Sequence, residues 1–469
     1  MKIIKNYLYN VFYQVFVLLV PLVTMPYIAR VLGPTGVGIS SFTNSNTQYF
    51  ILIGSIGVSL YGNRQIAYYR DNRRKTSQIF WEVFLMRIVT IIGALIAFFI
   101  FLGLTNEYKQ AYLMQSILIV AAAVDISWFF MGFENFKVTV LRNIIVKVIS
   151  LICIFIFVKD KGDLNIYIGI LALSQLIGNI TLFPYLKNYI NMPNWRELRI
   201  WRHFRPTLIL FVPQIATQVY LILNKTMVGK MISVEAAGFY DNSDKIIKMV
   251  LAIVTATGTV MLPRVANTFA KGDHEQVKKY LYQSFDFVSA IAIPMMFGIA
   301  AIAPKFATIF FGKAFAPVGL LMMIESVVIP IIAWGSVLGV QYLLPTGRNR
   351  EFTISVVLGA IVNIIVNIPF ILWMGIPGAM IATVLSELSV TGYQFYILRN
   401  ELDLKQMMKE IWKYLLAGFL MFIVILWSVL SFKFNIFILL IEVIIGILIY
   451  FGVLVLTKPK LLNYVKRGK

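Results

Sequence analysis

Gln214, Gln218 and Lys225 lie in one apolar stretch. At 100° per residue Gln218 stands ~40° and Lys225 ~20° round from Gln214, so the three share one helix face. An earlier stretch repeats the pattern: Asn44, Gln48, Ser55 and Ser59 share a face, and Gln14 adds another amide. Side chains of these types bind; they do not by themselves cleave or transfer a group. Either they line a hydrated path, or they tie helices together by hydrogen bonds worth ~1 kcal/mol each. Lys225 likewise either faces such a path or snorkels to a nearby interface. Carboxyls form a second group: Asp125, with Glu134 just beyond it, and Glu325 and Glu387 deeper in apolar sequence. A carboxyl there is either kept neutral, as a proton-coupling site requires, or paired so that it locks two helices. Asp125, Glu325 and Glu387 are therefore the ion-coupling candidates, for H+ or Na+.

What must position these groups is a series of apolar blocks. Of the 469 residues, 59% are hydrophobic and 13% charged, and the mean hydropathy is +0.81; a soluble chain carries about 25% charged residues. The blocks fall near 8–29, 39–61, 80–103, 110–131, 143–158, 165–185, 207–231, 246–263, 281–303, 317–343, 352–374, 376–397, 412–431 and 435–456. Each is roughly twenty residues, enough to cross ~30 Å of hydrocarbon. The fold class expected is all-α, a polytopic membrane protein of about fourteen spans. A barrel is excluded, because its strands alternate polar and apolar over about ten residues. Cys153 is alone and inside a block, and His203 and His274 read as solvated residues of basic loops, so no disulfide framework, metal site or cofactor is expected. Lys2 and Lys5 precede an apolar run without a cleavage pattern, which reads as a first span. Glu442, in the last block, has no evident partner.

The net charge of +21 is a matter of placement. Alternate loops hold most of the Lys and Arg, among them RQIAYYRDNRRK at 64–75 and NYINMPNWRELRIWRHFR at 188–205. About thirty basic residues fall on that side against seven on the other. The positive-inside rule then places both termini in the cytoplasm. The charge is a topology signal, aided by attraction to anionic membrane lipid, and no nucleic-acid partner is expected. No GxxxxGK[ST] motif occurs, and no loop exceeds about twenty-one residues, which leaves no room for an ATPase or an outer catalytic domain.

A 200-residue offset pairs Gln14 with Gln214, Gly38 with Gly238, Asn44 with Asp244, Arg64 with Arg264 and Asp125 with Glu325. Overall identity at this offset is near chance, but the shared positions are polar and glycine landmarks at matching places in the spans. Six spans separate the copies, an even number, so the repeats run parallel. The expected organisation is an N-terminal lobe at 1–206, a second at 207–400, and two further helices with a tail at 401–469. Internal repeats of this kind point to a transporter with a central site.

MPYIARVLGPTGVG (25–38), DISWFFMGFENFK (125–137), NKTMVGKMISVEAAGFYDNSDKI (224–246) and LPRVAN (262–267) resemble motifs of the polysaccharide repeat-unit flippases, the O-antigen, capsule and exopolysaccharide translocases of the multidrug/oligosaccharidyl-lipid/polysaccharide exporter superfamily. The likeness spans essentially the whole chain. It implies a bacterial plasma-membrane protein that is not an enzyme and moves an undecaprenyl-pyrophosphate-linked glycan from the inner to the outer leaflet by alternating access. It also implies ion coupling and a cationic cavity between two lobes, with a polysaccharide polymerase and other assembly proteins as partners. Lys225, Arg30, Arg64 and Arg264 are the positions that match the cavity's cations; Gln14, Asn44, Gln48, Gln214 and Gln218 complete the lining set. The competing readings are a multidrug exporter of the same superfamily, which would want an anionic or aromatic pocket, and a membrane-embedded polymerase, which would want a large outer loop.

Overall fold

The computed structural model describes residues 2–431 and 435–460, with side chains described from 16 onward except at 136, 212–214, 216, 217, 220, 221, 259, 260 and 436. All the regular secondary structure among the described residues is helical, with no strand, as the unbroken apolar blocks require when every backbone group in hydrocarbon must be paired internally. The protein is a multi-pass membrane protein. Ten helices are long and apolar enough to cross a membrane, or eleven if one bent pair is a single span. The count differs from fourteen for identifiable reasons. The first two expected blocks run into one another across a bend, and the helices at Phe204–Met231 and Ile376–Leu398 are not among the eleven.

The chain forms two compact units, Met1–Gly229 and Lys230–Lys469. The first contains α1 (Lys2–Ser55), α2 (Val58–Tyr69), α3 (Arg73–Leu104), α4 (Lys109–Ala123), α5 (Ser127–Gly132), α6 (Phe136–Phe157), α7 (Leu164–Ile180), the short α8 (Phe183–Leu186) and the body of α9 (Phe204–Met231). Gly33 bends α1, with φ 70° and ψ −179°; a Cβ is disfavoured at that φ, and Pro34 follows where it costs no helical hydrogen bond. The core of this unit is aromatic, with Phe80, Trp128, Phe129 and Phe130 fully buried. α2 reaches Trp128 only because residue 62 has no side chain: a Cβ on Gly62 would stand 2.4 Å from the indole. Gly62→Val is expected to cost about 1–3 kcal/mol by overpacking, read as a lower thermal midpoint in detergent. An unchanged midpoint would contradict this packing.

The second unit contains α10 (Val234–Ala270), α11 (His274–Phe310), α12 (Ala316–Glu325), α13 (Val328–Gly335), a π-helical segment Ser336–Leu343, α14 (Asn349–Met374), α15 (Ile376–Leu398), α16 (Leu404–Met408), α17 (Ile411–Ser431) and α18 (Ile436–Thr457). α17 and α18 lie outside the sequence duplication, yet both are fastened to α11. Tyr414 Oη donates to Asp286 Oδ1 at 2.6 Å, and Tyr450 Oη donates to the Ala290 carbonyl at 2.9 Å. Glu442, without a partner in the sequence reading, accepts from Ser428 Oγ and so joins α18 to α17.

The two units repeat local devices at the same offset. α4 and α5 are separated by a break containing Asp125, and α12 ends at Glu325 where the chain bends 45° into α13. One residue off that register, Asn72 caps α3 through Lys75 N–H and Asp273 caps α11 through Gln276 N–H. Caps and breaks are set by local sequence, which is why the landmarks of the repeat are polar residues rather than overall identity.

Candidate functional site

Unit 1 joins three of its helices through the segment TNSNTQ of α1. The hydroxyls of Thr43, Ser45 and Thr47 bond back to carbonyls four residues earlier, at 2.7, 2.9 and 2.8 Å. The amides reach outward. Asn44 Nδ2 donates to Gln115 Oε1 of α4 at 3.2 Å, and Asn46 Nδ2 to Tyr112 Oη at 2.6 Å. Thr226 Oγ1 of α9 donates to Asn46 Oδ1 at 3.3 Å. Asn44 thus serves as a helix tie, one of the two roles its type allows, while Gln48 is half-buried one turn on.

The other expected cavity residues are distributed. Lys225 is half-buried on α9, about 9 Å along the axis from the last residue of that helix. Arg30, Arg64 and Gln218 are exposed. Arg264 is exposed and stacked on Tyr280, its guanidinium carbon 4.2 Å from the ring centroid and Nη2 donating to Oη at 3.1 Å. Gln14 and Gln214 fall on α1 and α9, and their side chains lie outside the described residues.

Each carboxyl candidate sits in a built environment. Asp125 accepts from Ser127 N–H at 2.9 Å and so starts α5. Its other oxygen lies 3.7 Å from the Arg87 guanidinium, which also donates to the Asp125 carbonyl at 3.0 Å. Arg87 is 3% exposed, and a guanidinium so buried needs this carboxylate. Glu325 is buried and accepts from Ser243 Oγ at 2.7 Å; on the same stretch of α10 Asp241 holds Lys245 at 2.6 Å and Asp244 holds Lys248 at 2.7 Å. Glu387 is half-buried on α15.

His203 departs from its expected place as a solvated loop residue: it is 4% exposed. Its Nε2 lies 2.8 Å from Glu82 Oε2 and 3.2 Å from Arg202 Nε, and its Nδ1 lies 2.7 Å from Tyr61 Oη. Glu82 is fully buried and also takes Arg202 at 2.5 Å, Arg199 N–H at 2.7 Å and Gln78 at 3.1 Å. Burial therefore holds the imidazole below its ordinary value, even with Glu82 beside it. The unfolded chain then binds the proton first, so stability is full above about pH 6.5 and is lost as pH falls towards the lower folded value. The thermal midpoint is expected to drop as pH falls below about 6.5, and less steeply in His203→Gln. Equal slopes would remove His203 as the titrating group.

One cation was not among the sequence candidates. Lys147 stands mid-way along the 22-residue α6, about 15 Å of axis from either end. Leu141, Ile145, Val148, Ile149, Ile152 and Ile156 of α6 are exposed and form one stripe. Lys147 lies ~200° round from Ile145, on the side of the buried Ser150 and Ile154. No hydrogen bond or ion pair holds its ammonium among the described residues. The expected block at 143–158 placed it near a helix start; α6 in fact begins at Phe136, because Lys137 and Arg142 interrupt the apolar run without interrupting the helix.

Together these groups offer polar ties within each unit and, at Lys147, a half-buried cation with no carboxylate on it among the described residues. No group of three or more metal-ligating side chains occurs among the described residues. Residues 3–269 match the family model described as polysaccharide biosynthesis protein. A putative O-antigen transporter of Escherichia coli (strain K12) is 24% identical, the match covering 84% of this chain and 96% of that protein. Among solved structures, the lipid II flippase MurJ in an inward closed conformation superposes with a TM-score of 0.78 at 16% identity, covering 96% of this chain and 98% of that one. An inward-facing MATE-family multidrug resistance transporter gives 0.66 at 12% identity, covering 84% and 94%. At such identities the last two likenesses establish the fold.

Proposed function

The chain belongs to the polysaccharide biosynthesis protein family, and from that premise we propose that it is a flippase for lipid-linked oligosaccharide repeat units. The cargo in this reading is an undecaprenyl-pyrophosphate-linked glycan, moved from the inner to the outer leaflet of a bacterial plasma membrane for surface polysaccharide assembly. Both termini face the cytoplasm, the lobes are 1–206 and 207–400 with 401–469 added, and the protein works without catalysis or cofactor. The relative named as an O-antigen transporter matches over nearly its whole length, which supports this cargo class.

The observation that carries the reading is Lys147. A lysine at the centre of an apolar helix costs ~2.5–3.5 kcal/mol, and this one is half-buried, on the side away from the exposed stripe, with no counter-ion among the described residues. A diphosphate is the partner such a group lacks. The anionic head needs a polar path while its lipid tail stays in the bilayer. An inside-negative potential favours its outward passage by ~2.3 kcal/mol per charge per 100 mV. Coupling to H+ or Na+ through Asp125, Glu325 or Glu387 would supply further drive, and Lys225, Arg30, Arg64 and Arg264 with Gln14, Asn44, Gln48, Gln214 and Gln218 remain the proposed cavity set. A polysaccharide polymerase and other assembly proteins are the proposed partners.

The likeness to a MATE transporter favours a second reading, an ion-coupled multidrug exporter. Reconstitution into vesicles separates the two. Translocation of a lipid-linked oligosaccharide, without export of organic cations, is the expected result. Cation export without glycan movement would overturn the proposal.

A further inference from the structure

At the end of unit 1 where α2 meets α3, a notch of ≈ 380 Å³ opens between Tyr61, Tyr69, Lys75, Gln78, Arg202 and His203. We propose that this notch binds the phosphate of a membrane lipid headgroup, and that it receives the diphosphate of the cargo before translocation; the second part rests on the function and orientation proposed above.

Its floor is rigid. Glu82 is fully buried beneath it and held by Gln78, Arg199, Arg202 and His203. That carboxylate fixes Arg202 at the rim with its side chain 45% exposed. A guanidinium has five N–H donors, so with Nη2 on Glu82 and Nε 3.2 Å from His203 Nε2, Nη1 is left for a ligand. Lys75 is exposed, its ammonium 5.4 Å from the Tyr69 ring centroid, and no carboxylate holds it among the described residues. The site thus presents an unpaired ammonium and a pre-oriented guanidinium over a neutral imidazole.

The internal repeat supplies a control. Unit 2 has a notch of ≈ 440 Å³ at corresponding positions, lined by Glu275, Lys278, Lys279, Glu401 and Asp403 among others. Lys75 is replaced there by Glu275, and His203 by Asp403, 200 residues on. Arg348, the arginine nearest that notch's acids, is already clamped on Glu401 at 2.7 and 2.8 Å. The fold therefore makes a notch in each unit, but only the first offers cations without exposed carboxylates. An anion fits one and not the other.

The surroundings identify the anion as a lipid's. The segment 188–205 beside the notch exposes Met192, Trp195 and Trp201, each by 60% or more, among Arg196, Arg199, Arg202 and Arg205. Tryptophans interleaved with cations mark headgroup depth in a membrane interface. A phosphate at that depth belongs to a lipid.

The test uses the full-length protein in nanodiscs of neutral phosphatidylcholine, with undecaprenyl diphosphate as the probe and phosphatidylglycerol and inorganic phosphate as competitors. Lys75→Gln and Arg202→Gln are each expected to weaken undecaprenyl diphosphate binding about tenfold, as loss of one charge-assisted contact implies, and Lys75→Arg to restore it. In vesicles, Lys75→Gln is expected to raise the half-saturating cargo concentration and keep the maximal rate. Wild-type affinity in both Gln variants would overturn the site. Equal competition by phosphatidylglycerol would uphold the phosphate site and overturn its loading role. Lys75-dependent binding of phosphatidylglycerol with no binding of undecaprenyl diphosphate would uphold the site while sinking the flippase reading.

Discussion

Lys147→Met is expected to fold, to melt at a higher temperature than the wild type, and to lose about tenfold to a hundredfold in glycan translocation. The two signs come from one fact. The ammonium sits mid-way along α6 on the face away from the exposed stripe, with no carboxylate on it among the described residues. Removing an unpaired charge from such a place returns part of the ~2.5–3.5 kcal/mol that it costs. The same removal deprives a passing diphosphate of a charge-assisted hydrogen bond worth ~1.5–3 kcal/mol, which at 1.4 kcal/mol per decade is the stated loss in rate. Lys147→Arg keeps the charge and is expected to keep most of the transport. A lysine with only a structural role would show the opposite stability change. Thermal midpoints and vesicle translocation on the same preparations decide it: a less stable, fully active Lys147→Met would remove this residue from the pathway.

Asp125→Asn is expected to lose about 3–5 kcal/mol of stability, and Arg87→Met on top of it to recover most of that loss. Asparagine keeps an oxygen for Ser127 N–H, so the start of α5 survives. What it removes is the only carboxylate among the described residues drawn onto Arg87, whose guanidinium is 3% exposed. An isolated charge at that burial is far more costly than either the pair or a pair of neutral side chains. The double variant also separates two roles that a single variant confounds. If Asp125 serves only to pair with Arg87, the rescued protein translocates glycan normally. If it couples an ion, the protein is stable and slow. Recovery of neither stability nor transport in the double variant would show that the ion pair is not what Asp125 provides.

Much of the architecture was legible in the chain. Apolar blocks of roughly twenty residues dictate helices, because hydrocarbon leaves the backbone no partner but itself. The 200-residue offset pointed to Asp125 and Glu325, and both stand at helix breaks. Local chemistry survives in sequence: Asn72 and Asp273 cap helices through the N–H three residues on. The count of spans was less legible, since the bend at Gly33 joins two apolar blocks into one helix.

The candidate site was legible only in kind. Helical periodicity assigns Asn44 to a face of its helix, but nothing in 43–48 names Gln115, seventy-one residues away, as its partner. His203 looked solvated because its neighbours in sequence are basic; it is buried because Glu82, 121 residues earlier, lies beneath it. Lys147 was hidden by Lys137 and Arg142, which shortened the apparent block and moved its centre. By itself, then, the amino-acid order determined the solvent of this protein, its helices, its repeat and its polar inventory, all consequences of composition and short-range spacing. Which charges are paired, and that the half-buried Lys147 has no counter-ion among the described residues, only the tertiary structure decided, because pairing depends on distances between helices that no single helix encodes.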